Sequence, residues 1–271
     1  MNKIGDKFGT RPPPGLDWHH WVERWDRMQE RYLVRRHERF SAMIALIEAT
    51  QPSVQRLLDL GCGPGSLALA LLEAFPNAEV YGIDFNPHVL LLAQARLAHF
   101  GKRVHLIRAD LRQPSWTGPL PASMDAIVSA TALHWLEPGL LAALYGQLAG
   151  LLRPGGILVN ADHVGSEHHA LQQAWERDRD QERTAERNIR MGENDADDWD
   201  GFWTAYSRAL VCDQETEPSS IDGWQGGVEQ GLPLAWHLDR LRESGFYAVD
   251  CFARWHCDAL YGGIKEGTRE Q

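Results

Sequence analysis

The 271-residue sequence predicts an α/β fold with a doubly wound, mostly parallel sheet. Three observations carry that prediction. Residues 57–69, LLDLGCGPGSLAL, pass from an apolar run ending in an acid, through a glycine loop, into a second apolar run rich in Ala and Leu. That is the order strand, tight turn, helix. From Gln55 to Asp162 strand-like and helix-like runs alternate, which sets the strands parallel with helices on both faces. At the end of the chain, 234–243 reads as a helix stopped by Ser244-Gly245, and 247–255 with 258–264 reads as an antiparallel hairpin.

The elements follow in order. Residues 1–16, with Pro12-Pro13-Pro14, are expected to be a flexible N-terminus. Two helices are expected at 17–33, with Asp17 as a cap, and at 36–50, ending before Pro52; together they form a segment 17–51 expected to act as a lid. The sheet domain spans 52–162. Its strand-like runs are 57–60, 79–83, 104–109, 124–130 and 157–159. Residues 163–233 are charged and helical in character, with a turn at 194–198, and are expected to be an inserted helical lid; 234–271 completes the sheet.

Composition bounds the function. A formal charge of −10, from 27 Lys and Arg against 37 Asp and Glu, argues against a nucleic-acid partner, whose phosphates are met mainly by basic side chains. The arginines between Arg24 and Arg39 are expected on a solvated helix face. The four cysteines form no Cys-x-x-Cys pair, which suits free thiols in a reducing compartment. With no signal-peptide core and no apolar run long enough to span a bilayer, the expectation is a soluble, cytoplasmic monomer or homodimer with no membrane partner.

The glycine loop Gly61-Cys62-Gly63-Pro64-Gly65 is G-x-G-x-G preceded by Asp59. A dinucleotide fingerprint needs glycine at the position held by Ser66, and Asp59 would repel a pyrophosphate, so a nicotinamide-dependent oxidoreductase is disfavoured. Together with Asp84 closing the second strand before Phe85-Asn86-Pro87, Asp110-Leu111 after the third, Ser129-Ala130-Thr131-Ala132-Leu133-His134-Trp135 at the fourth and Arg153-Pro154-Gly155-Gly156 before the fifth, the loop resembles the class I S-adenosylmethionine-dependent methyltransferases, and in particular the small-molecule branch that includes trans-aconitate methyltransferases. The resemblance implies a seven-stranded Rossmann-like sheet with the last strand antiparallel, S-adenosylmethionine as cofactor and a small-molecule acceptor, oxygen being favoured as the acceptor atom. It also implies cofactor contacts at Asp59, Gly61, Cys62, Gly63, Gly65, Asp84, Phe85, Asp110, Leu111 and Ala130, with Asp84 on the ribose hydroxyls.

Methyl transfer from a sulfonium needs mostly alignment and desolvation, and no acid–base dyad is legible in the chain. His134 is the candidate base because it follows the fourth strand; the alternative is that it only lines the pocket. Trp21 and Trp25, which share a helical face with Trp18, join Trp135 and Trp203 as candidate acceptor contacts, the alternative for the helical pair being core packing. Arg35 or Arg36 could meet a carboxylate of the cofactor or acceptor. His163, Glu167, His168 and His169 match no zinc signature, so no metal is expected. A protein that binds the cofactor without transferring its methyl group is the other reading.

Overall fold

The computed structural model describes Phe8 and residues 14–190, 198–210 and 231–267. The expected flexible stretch 1–16 and the expected turn at 194–198 fall almost wholly outside these residues. The sheet has seven strands in the order β3-β2-β1-β4-β5-β7-β6. The strands are β1 (Arg56–Leu60), β2 (Glu79–Asp84), β3 (Val104–Arg108), β4 (Met124–Ala130), β5 (Leu152–His163), β6 (Phe246–Trp255) and β7 (Asp258–Lys265). The first five pair in parallel, and β7 lies antiparallel between β5 and β6. The doubly wound expectation and the terminal hairpin are both met.

The helices are α1 (Trp18–Tyr32), α2 (Arg36–Thr50), α3 (Ser66–Ala74), α4 (Pro87–Leu97), α5 (Pro138–Leu151), α6 (His169–Arg190), α7 (Trp199–Leu210) and α8 (Leu234–Glu243). Local chemistry sets their ends. Asp17 caps α1 by accepting from the His20 N–H at 3.1 Å, and Asn86 caps α4 from His88 N–H at 2.9 Å with Pro87 in the first helical position. Gly245, at φ 91°, takes the left-handed conformation that ends α8.

Both faces of the sheet are covered, so successive strand residues are apolar rather than alternating. Leu57 packs with Met43, Ile47, Leu71 and Leu90 of α2, α3 and α4. Its neighbours Leu58 and Leu60 point the other way, against Leu144, Tyr145 and Leu241 of α5 and α8. A third cluster joins Trp21, Trp25 and Met28 of α1 to Val89 and Leu92 of α4 and to Phe202, Trp203 and Tyr206 of α7. Two polar ties hold this layer in place: Tyr206 Oη donates to the His88 carbonyl at 3.0 Å, and Trp199 N–H donates to Tyr32 Oη at 3.0 Å. Among the described residues, no helix is long and apolar enough to cross a membrane.

Candidate active site

A cavity of about 290 Å³ lies at the carboxyl ends of the parallel strands, between the sheet and the α1–α7 layer. The glycine loop forms one wall. Gly61 has φ 65°, and a Cβ there would sit 2.4 Å from the Ala132 Cβ, so only glycine lets the β1 loop lie against the β4 loop. Gly63 has φ 52° and open space where a side chain would be, which leaves its backbone exposed to the cavity. Its N–H donates to Asp84 Oδ2 at 2.9 Å, while the Asn86 N–H donates to Asp84 Oδ1 at 2.9 Å. Each carboxylate oxygen keeps a lone pair for a ligand.

Of the residues expected to hold the cofactor, Asp59, Gly61, Cys62, Gly63, Asp84, Phe85, Leu111 and Ala130 line the cavity. Gly65 and Asp110 do not. Gly65 faces α4, where an added Cβ would meet Leu97 Cδ1 at 2.9 Å, so it serves packing. The Asp110 carboxylate is turned onto Arg112, with Nε–Oδ1 at 2.9 Å and Nη2–Oδ2 at 2.7 Å, and this bidentate pair holds its pKa below the usual carboxylate range. Among the expected acceptor contacts, Trp25, Trp135 and Trp203 line the cavity, joined by Trp199. Trp21 lies off it, packed edge-on against Phe202 and tilted against Tyr206 of α7.

The β4–β5 wall carries a pair that the sequence did not reveal. Asp162, at the end of β5 and 1 % exposed, accepts from the His134 backbone N–H at 3.0 Å through Oδ2 and contacts His134 Nδ1 at 2.6 Å through Oδ1. The sequence shows no acid–base dyad, but the structure brings His134 and Asp162, 28 positions apart, into direct contact. The chain reaches this geometry through Thr131, whose φ of 51° is unusual for a β-branched residue and turns the segment after β4 back over the cavity. Burial alone would raise the Asp162 pKa, but the adjoining His134 and His163 hold it below its usual value. A second such pair stands beside it. His163 Nδ1 meets Asp258 Oδ1 at 2.5 Å, the other Asp258 oxygen accepts from Arg39 Nη2 at 2.6 Å, and the His134 and His163 rings are 4.8 Å apart.

Arg27 and Arg35 are exposed as expected, but Arg36 and Arg39 are not solvated. Arg39 is buried in its pair with Asp258, and Arg36 reaches Asp26 Oδ1 at 3.2 Å with only 10 % of its side chain exposed. Arg35 pairs instead with Glu182 at 2.7 Å, away from the cavity lining. Asp26 is also held by Arg96 Nη2 at 2.8 Å and by Ser66 Oγ at 3.1 Å, which ties α1 to the first residue of α3. Asp162 was the accessible omission: it stands at a parallel strand's carboxyl end, as Asp59 and Asp84 do. Arg39, His163 and Asp258 had no such signal.

Three buried polar atoms without a protein hydrogen-bond partner belong to residues of this cavity: Asp59 Oδ2, Arg39 Nε and Trp203 Nε1. Burial and the nearby Asp84 push the Asp59 carboxyl up to about 8. Burial also lifts Asp84, to about 6, against the backbone N–H bonds it receives. One buried and one half-buried acid without cationic partners beside an open glycine loop are a fitting receptor for a positively charged, ribose-bearing ligand.

Residues 57–156 match the family described as a methyltransferase domain. A trans-aconitate 2-methyltransferase of Methylobacterium radiotolerans is 37 % identical over 119 residues, covering 43 % of this chain and 42 % of that protein. One from Streptomyces avermitilis is 34 % identical over 140 residues, covering 51 % and 50 %. The chain thus spans about half the length of the curated relatives it matches. Among solved structures, a putative O-methyltransferase from Nostoc punctiforme superposes with TM-score 0.56 at 14 % identity, covering 97 % of this chain and 65 % of the other. The apo form of the methyltransferase SibL superposes with TM-score 0.52 at 21 % identity, covering 84 % and 54 %. Residues 57–156 thus resemble a methyltransferase domain, and the chain shares the fold of these methyltransferase structures, which together support a class I S-adenosylmethionine-dependent methyltransferase.

Proposed function

We propose that this protein transfers the methyl group of S-adenosylmethionine to a hydroxyl oxygen of a small-molecule acceptor, with His134 as general base. The observation that carries this reading is the His134–Asp162 pair on the cavity wall opposite Asp84 and the glycine loop. The cofactor supplies an electrophilic methyl on a sulfonium, which leaves as a neutral thioether when the acceptor oxygen takes the methyl. Asp84 holds the ribose hydroxyls through the lone pairs its backbone bonds leave free, and Asp59 lies where a nearby positive charge would draw off its proton.

Asp162 accepts the Nδ1 proton of His134, which fixes the tautomer and leaves Nε2 basic. Nε2 then takes the hydroxyl proton as the oxygen bonds to the methyl carbon, and Asp162 stabilises the imidazolium formed. The segments at 17–51 and 163–233 act as the lid through α1, α2 and α7, whose aromatic side chains exclude water from the cavity.

The test is His134→Asn with calorimetry and turnover measured side by side. Turnover is expected to fall about 10²- to 10⁴-fold at saturating substrate with cofactor affinity unchanged. Near-normal turnover in the variant assigns catalysis to alignment alone. Binding of cofactor without turnover of any acceptor makes the chain a binding module.

A further inference from the structure

Resting on the methyl-transfer reading, we propose that the acceptor is a vicinal diol, its reacting hydroxyl on His134 and the hydroxyl of the adjacent carbon on His163. Both imidazoles line the same cavity, with ring centroids 4.8 Å apart and ring planes at 60°. One carboxylate sets that spacing. Asp162 Oδ1 contacts His134 Nδ1 at 2.6 Å and also accepts from the His163 backbone N–H at 2.9 Å. Across the β5–β7 ladder His163 stands opposite Asp258, whose Oδ1 contacts the His163 Nδ1 at 2.5 Å. Arg39, bonded to the other oxygen, keeps Asp258 a carboxylate, and Arg183 of α6 interacts electrostatically with both. Arg179, Glu176 and Arg254 act on the adjoining Cys257.

Each Nδ1 is thus engaged by a buried carboxylate, which leaves Nε2 as the free edge of each ring. Neither Nε2 has a hydrogen-bond partner among the described residues, and both are open to solvent at the cavity. Two such nitrogens on neighbouring rings suit two ligand atoms that are themselves close together. With hydrogen bonds of about 2.8 Å, oxygens on adjacent carbons come within reach of both rings, and groups at opposite ends of a longer molecule do not. A hydroxyl is the group that fits His163, because it donates and accepts and so satisfies Nε2 with or without a proton, whereas a carboxylate only accepts. In the transfer, His134 Nε2 takes the proton of the first hydroxyl as its oxygen bonds to the methyl carbon and the sulfonium leaves as a thioether. The second hydroxyl keeps its proton and its bond to His163.

The experiment compares catechol, resorcinol and phenol, which differ only in the presence and place of a second hydroxyl. Binding heat is read on protein saturated with S-adenosylhomocysteine, and turnover with S-adenosylmethionine. Catechol is expected to bind 10-fold or more tighter than the other two and to be methylated with the lowest KM. In His163→Phe, which keeps a ring but removes both nitrogens, that advantage should shrink to about twofold, whereas His134→Asn should lower kcat. Equal binding and turnover of the three compounds by the unaltered protein overturn the proposal, whether or not the variants fold, and leave the His134 reading standing. Failure of catechol to bind overturns it as well. So does an advantage that survives in folded His163→Phe, since the second hydroxyl is then held elsewhere. Failure of S-adenosylhomocysteine to raise the melting temperature would instead remove the methyl-transfer reading beneath it.

Discussion

The two sides of the cavity use the same side chain in opposite electrical states. At β1 and β2, Asp59 is buried and Asp84 half-buried, neither with a cation, and desolvation raises both pKa values, to about 8 and about 6. At β5 and β7, Asp162 and Asp258 are buried too, yet His134, His163 and Arg39 hold them below the usual range. Burying a carboxylate is costly unless a partner offsets it. The β4–β5 side carries its partners within the fold; the β1–β2 side waits for one. A positively charged ligand belongs on the second, and a group that must keep its protonation state and orientation belongs on the first. The difference separates a side open to a cation from a side whose charges are paired within the fold by electrostatics alone.

The largest expected effect breaks the β4–β5 side only. Asp162→Asn keeps the shape but presents an amide N–H to His134 Nδ1, which drives the proton to Nε2 and removes the base. Turnover should fall about 10²- to 10⁴-fold, or about 3–5 kcal/mol of barrier, with calorimetric affinity for the cofactor unchanged. Equal losses in turnover and cofactor affinity would show that the two sides are not separable.

The next effect belongs to the β1–β2 side and concerns stability. With a folded pKa of about 8 against 3.8 unfolded, Asp59 keeps at pH 7 a proton that the unfolded chain releases. Such a group weakens the fold as pH rises from about 4 to about 8. Asp59→Asn removes that linkage, so the ligand-free protein should gain up to about 4 kcal/mol at pH 7 and lose this part of its pH slope. Urea unfolding of both proteins at pH 5 and pH 8 checks it, and equal slopes would refute the assignment. Cofactor affinity should weaken in the same variant, the expected cost of stabilising a site built for a cation.

The contrast also explains what could be read in advance. The β1–β2 side is written in contiguous sequence: strand, glycine loop and helix at 57–69, then Asp84 at the end of the next strand, so a local pattern carries it. The β4–β5 side is assembled from Arg39, His134, Asp162 and Asp258, which no local pattern joins. Helical spacing put Trp21 and Trp25 on one face correctly, but it could not show that both pack against α7 and that only Trp25 also lines the cavity. Asp110 and Gly65 occupied the right strand ends and loops; Arg112 and α4 claimed them.

Acid should act on the β4–β5 side with the opposite sign. Beneath Asp162, His237 is 2 % exposed, meets Tyr145 Oη at 2.7 Å and Tyr261 Oη at 3.1 Å, and burial lowers its pKa to about 4. Below the ordinary value of 6.5 the unfolded chain takes up a proton that the fold refuses, so this stability is complete above pH 6.5 and is lost as pH falls toward 4. The loss amounts to roughly 3 kcal/mol. His237→Gln should shrink the difference between denaturant midpoints at pH 7.5 and pH 4.5. An unaltered difference would refute the assignment, because Asp162 and Asp258, whose lowered pKa values act with the same sign, give up their contribution only below about pH 4.

The smallest effect sharpens the cofactor side. Asp84 accepts from Gly63 and Asn86, so it both braces the glycine loop and presents lone pairs to the ribose. Asp84→Ala removes both roles and should weaken S-adenosylmethionine binding by about 1.5–3 kcal/mol, the range for hydrogen bonds to a charged acceptor. Asp84→Asn separates them. One oxygen can still accept a backbone N–H while the other becomes a donor facing the Gly63 or Asn86 N–H, so the loop loses part of its brace and the ribose loses a charged acceptor. Affinity in the Asn variant should therefore fall nearly as far as in the Ala variant, while turnover at saturating cofactor stays near wild type because His134 and Asp162 are untouched. If calorimetry shows wild-type affinity in Asp84→Ala, the ribose is held elsewhere, and the division of the cavity into a cation-receiving side and a proton-handling side fails at its first residue.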